Sequence, residues 1–121
     1  MEDSEFEKLV EEALYSLPRE FAEKLDNVSV TVSDMPSYYQ LQKTKLSPNS
    51  LLFGLYEGVP KTKRGSYSGV LPDKITIFKN PILYVSRTPE DVRQRVRSVV
   101  MHEIGHHFGL SDEELYKSKA R

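Results

Sequence analysis

The sequence predicts an α+β fold, and three observations carry that reading. An apolar stripe at helical spacing opens the chain, three short segments read as strands, two of them alternating, and a long capped helix comes near the end. At 121 residues the chain is the size of one domain, taken as 1–121, and a second core is not expected.

Residues 4–17 place Phe6, Leu9, Val10, Ala13, Leu14 and Leu17 on one face of a helix, and Pro18 stops it. A second helical piece is expected over 19–25. Val28, Val30 and Val32 alternate with Ser and Thr, the pattern of a half-buried strand. Residues 35–50 carry Pro36, Pro48, Ser and Asn without a period and read as a long irregular connection. A second strand is expected from Leu51 to Tyr56. The third is KITIFK, 74–79, and Pro81 with its polar flanks places that strand near a sheet edge.

The long helix has clear ends. Thr88 is suited to the N-cap, Pro89 to the first helical position and Asp91 to the third, while Gly109 is a stop signal. About 20 residues lie between, or roughly 30 Å of helix. Ser111-Asp112-Glu113-Glu114 then resembles the start of a short terminal helix.

Composition excludes several classes. Seventeen basic and 18 acidic side chains nearly cancel, so nothing marks the protein for nucleic acid or an anionic membrane. With no cysteine, a transition metal would have to be held by His, Asp or Glu. The acidic N-terminus lacks the pattern of a secretory signal and no stretch has the length of a membrane span, so the expected compartment is the cytoplasm.

The chemistry is concentrated in residues 102–112, HEIGHHFGLSD. Histidines four apart face the same way on a helix, so His102 and His106 can offer ring nitrogens to one metal ion. Glu103 lies beside that face, where a general base can reach an attacking water without ligating the metal. Val92, Val96, Val99 and Glu103 also fall on one stripe, so the carboxylate continues a core-facing row. Burial there is costly unless a charge or hydrogen bond compensates. With three His and twelve Glu in the chain, chance placement of H-E-x-x-H is on the order of one per cent.

Two histidines and a water leave one ligand to find. Gly109 can take a left-handed conformation and turn the chain sharply. Asp112 is then the best-placed oxygen, with Glu113 and Glu114 as alternatives and a plain helix-start role for Asp112 also open. His107 is expected to be a buried, hydrogen-bonded core histidine more than a ligand. Lys61-Thr62-Lys63-Arg64 reads as a solvated loop, and Arg93, Arg95 and Arg97 as water-facing. Tyr56, Tyr67 and Tyr84 could stabilise an oxyanion, although core packing is the default for each.

The segment Leu51 to Glu114 resembles the small bacterial zincin-like proteins described as possible or minimal zinc metallopeptidases. The similarity rests on GLYEGVP (54–60), YSGVLPDKITIFKNPI (67–82) and HEIGHHFGLSDEEL (102–115), of which the last is specific. The resemblance implies a zincin-like domain with a small mixed sheet, an active-site helix and a cleft bordered by an edge strand. It also implies zinc bound by His102, His106 and Asp112, with Glu103 as general base. The extended motif is similar to that of metzincins, with Asp replacing their third His, but no methionine follows Asp112 to make their methionine turn. The expected activity is hydrolysis of peptide bonds by a metal-activated water, in a monomer acting on a peptide or protein. The alternative is a catalytically silent zinc-binding domain whose cleft holds a partner peptide.

Overall fold

The computed structural model describes residues 1–23, 25, 28–44, 46, 50–58 and 73–109. In chain order these form α1 (Asp3–Tyr15), α2 (Arg19–Ala22), β1 (Val28–Ser33), α3 (Tyr38–Lys43), β2 (Gly54–Glu57), β3 (Asp73–Phe78), α4 (Lys79–Val85) and α5 (Pro89–His107). Among the described residues no helix is long and apolar enough to cross a membrane.

Helix α1 buries the face its spacing predicts: Phe6, Leu9, Val10 and Ala13 point inward. They pack against α5, whose Val92, Val96, Val100 and Ile104 join the same core. Fully burying one such side chain is worth ~1.5–3 kcal/mol, so this helix pair supplies much of the cohesion that holds α5 in place. Past Pro18 the chain makes only the single turn of α2, shorter than the 19–25 expected from sequence.

The three strands form one mixed sheet of order β1-β3-β2. β1 runs parallel to β3 in the register Val30↔Ile75 and Val32↔Ile77, and β2 runs antiparallel to it with Gly54↔Ile77 and Tyr56↔Ile75. Ile75 and Ile77 thus share a face with Gly54 and Tyr56, and that face meets α5. β2 begins at Gly54, three residues later than the sequence pattern suggests, and extends to Glu57.

Two expectations are corrected here. β3 is the central strand and not an edge: Asp73, Ile75, Thr76, Ile77 and Phe78 are all buried, as a strand covered on both faces requires. Pro81 does not mark an edge because it sits in the first turn of α4, where a helix has no use for the missing N–H. The supposed irregular stretch 35–50 contains α3. Its start is a capping box in which Ser37 Oγ accepts from Gln40 N at 3.1 Å and Ser37 N donates to Gln40 Oε1 at 3.0 Å. Glu57 of β2 tethers this helix, accepting from Gln40 Nε2 at 3.2 Å and from Lys43 Nζ at 2.6 Å.

Helix α5 is built as its terminal residues dictate. Thr88 Oγ1 accepts from Asp91 N at 3.0 Å, Pro89 occupies the first turn, and Glu90 and Asp91 place acid at the positive end of the helix dipole. At the other end Gly109 adopts φ 79°, the left-handed conformation that ends a helix and redirects the chain.

Candidate metal centre

The last two turns of α5 carry His102, Glu103 and His106 on one side of the helix. One potential ligand atom from each lies within 4.8 Å of the other two. The imidazole rings of His102 and His106 are 4.7 Å apart between centroids, inclined at 65°. His106 Nδ1 stands 3.4 Å from Glu103 Oε1. Both histidines are partly exposed whereas Glu103 is only 6% exposed, so the imidazoles are reachable from solvent and the carboxylate beside them is buried.

Glu103 is walled in by β2, an edge strand of the sheet among the described residues. A β-carbon built on Gly54 would lie 3.1 Å from Glu103 Cγ and 2.7 Å from Val99 Cγ1. β2 can run this close to α5 only because Gly54 has no side chain. The valine stripe of the sequence therefore leads, as expected, to a buried acid, and strand β2 is what buries it.

The donor set suits zinc. Two imidazoles and a carboxylate on one face are the borderline ligands that ion prefers, and they can supply three of four tetrahedral positions, or two with the carboxylate left for proton transfer. Asp112, Glu113 and Glu114, the candidates for a further ligand, lie outside the described residues, as do Tyr67, the basic run 61–64 and the expected terminal helix. The turn at Gly109 that would redirect the chain is present.

His107 follows His106 on α5, projects about 100° away from it around the helix, and is completely buried. Its Nδ1 lies 2.7 Å from Asp73 Oδ2, and since a carboxylate oxygen only accepts, it selects the tautomer protonated at Nδ1. Tyr56 donates its hydroxyl to the same oxygen at 2.7 Å and meets the His107 ring edge-on at 5.9 Å. The reading of His107 as a hydrogen-bonded core histidine agrees with this geometry. The sequence alone assigns Asp73 no role, because nothing local links position 73 to position 107. Tyr84 is 82% exposed, so core packing does not describe it. Arg95, near Asp91, and Arg97 are exposed as expected, whereas Arg93, near Glu12 and Glu90, is half-buried.

A mixed three-stranded sheet over a helix that carries H-E-x-x-H defines the α+β, zincin-like class of protein. The family model for zincin-like metallopeptidases matches residues 25–120, and the chain belongs to that family. Among solved structures it is similar to a conserved hypothetical protein from Thermus thermophilus. That likeness has a TM-score of 0.54 at 22% identity, covers 86% of this chain and 91% of the other, and reflects the fold. No curated protein sequence matches the chain.

Proposed function

We propose that this protein is a zinc-dependent metallopeptidase, one catalytic domain over residues 1–121 that acts as a monomer on a peptide or protein. His102 and His106 would hold the ion with Asp112 as third ligand, and Glu103 would be the general base. Zinc bound there would supply a Lewis acid that polarises the scissile carbonyl and makes an attacking water more acidic.

The observation that carries this reading is the position of Glu103. A carboxylate 6% exposed, 3.4 Å from the imidazole of His106 and roofed by Gly54, is held next to the accessible space where a substrate would lie. In the reaction an oxygen–carbon bond forms and the carbon–nitrogen bond breaks. Glu103 accepts the proton lost by the water and delivers it to the leaving amine. Strand β2, at the edge of the described sheet, offers backbone groups to an extended peptide.

A second reading is favoured by one distance. Glu103 offers an oxygen within 4.8 Å of both histidine nitrogens, so it could itself complete the ligand set of a catalytically silent zinc domain whose cleft binds a partner peptide. Glu103→Gln separates the two. If Glu103 is the base, the variant keeps zinc and loses hydrolysis of a peptide library by ~10²–10⁴-fold. If Glu103 is a ligand, zinc affinity falls with the substitution, and chelator leaves the library result of the wild-type protein unchanged.

A further inference from the structure

Asp73 stands at the head of the central strand, 2% exposed, and its Oδ2 is shared by two donors from different elements. Tyr56 reaches it from edge strand β2 and His107 from the last turn of α5, each at 2.7 Å. Its other oxygen is covered by backbone: a β-carbon on Gly58 would lie 2.5 Å from Asp73 Oδ1. One buried carboxylate therefore ties together the helix and the strand that enclose Glu103.

The helical phase gives this tie its consequence. His107 is four residues after Glu103, so the two project from nearly the same side of α5, one turn apart. His106, the next residue before His107, projects about 100° away, on the side of the partly exposed His102. Gripping His107 sets the rotation of α5 about its axis, and with it the direction in which Glu103, His102 and His106 point. Gripping Tyr56 with the same oxygen sets the distance of β2, whose Gly54 packs on Glu103. Neighbouring contacts could hold the helix against the sheet without Asp73, but apolar packing alone is less demanding about rotation than two hydrogen bonds of 2.7 Å.

We propose that Asp73 is a positioning residue for the site, acting through His107 and Tyr56 to fix the rotation of α5 relative to edge strand β2. As a statement about zinc it rests on the metallopeptidase reading; as a statement about the helix it does not. The variants are Tyr56→Phe, which deletes one hydroxyl, Asp73→Asn, which keeps an acceptor oxygen, and Asp73→Ala, which removes it. The first readout is amide hydrogen exchange of the metal-free protein. Exchange across residues 101–108 and 54–57 should accelerate at least about tenfold in Asp73→Ala relative to residues 92–99 of the same helix, with Asp73→Asn between it and wild type. The second is zinc affinity by competition with a chromophoric chelator, expected to fall about tenfold or more in Asp73→Ala, toward the range seen when groups supporting metal ligands are lost, and to be partly rescued in Asp73→Asn.

Tyr56→Phe guards against a variant that fails to fold, and should speed exchange selectively in 54–57. Unchanged exchange in Tyr56→Phe and Asp73→Asn, with both folded, overturns the proposal. So does zinc binding within about twofold of wild type in all folded variants, provided that His102→Ala abolishes it. If His102→Ala leaves zinc binding intact, the metallopeptidase reading fails, and the exchange pattern alone still decides whether Asp73 sets the helix.

Discussion

Gly54 and Glu103 are in contact across the boundary between edge strand and helix, close enough that a single added carbon on Gly54 would sit 3.1 Å from Glu103 Cγ and 2.7 Å from Val99 Cγ1. Gly54→Ala should therefore push β2 away from α5 or turn the Glu103 side chain. Overpacking of this kind costs ~1–3 kcal/mol, to be read from urea unfolding. Peptide turnover should fall more than stability alone explains, because the displaced group is the proposed base. Wild-type stability and turnover in the alanine variant would show that the strand yields without cost.

One set of ligands implies one zinc per chain. Elemental analysis of protein offered zinc and then desalted should give that ratio, and His102→Ala or His106→Ala should reduce it to background. A wild-type content near zero would remove the basis for the site.

The third ligand is open to direct test. Asp112→Ala should weaken zinc binding by more than the ~10–100-fold typical of changes behind the ligands, while Glu113→Ala and Glu114→Ala should leave it nearly unchanged. Damage from Glu113→Ala in place of Asp112→Ala would reassign the turn that follows Gly109.

The tether of α3 is pH-dependent. The Lys43 ammonium, donating to Glu57, holds the Glu57 carboxyl below its ordinary 4.5, against the opposing effect of burial and with help from Gln40. The same hydrogen bond raises Lys43 above its ordinary 10.5. A depressed carboxyl contributes stability that is complete above its ordinary value and is lost as pH falls through the lower folded value. A raised ammonium contributes below its ordinary value and loses it as pH rises through the folded one. The stability difference between wild type and Glu57→Gln should accordingly be flat near neutrality and shrink as pH falls below about 4.5. A gap that persists unchanged to strongly acid pH would mean the tether contributes nothing through Glu57 ionisation.

What could be read from the order of residues lies within single helices. The stripe from Phe6 to Ala13, the Thr88 cap, the stop at Gly109 and the pairing of His102 with His106 depend on spacings of three or four residues, and a helix converts such spacings into geometry without help from the rest of the chain. Even the burial of Glu103 was legible, because it continues the valine row of its own helix. Helix α3 was legible too, in Ser37 and Gln40 three apart, but Pro36 and Pro48 made the segment look irregular. Strand order was not. KITIFK alternates like a half-exposed strand, yet β1 and β2 flank it on both sides, and only their pairing makes it central. Likewise nothing near Asp73 announces that it will meet His107, 34 residues away, and Tyr56, 17 residues away, on one oxygen. Nor does Gly54 announce that Glu103 will lie against it. These contacts join residues far apart in the chain, so they exist only once the sheet has assembled and α5 has packed on it; the motif carries its own histidines, and the folded chain sets what stands around them.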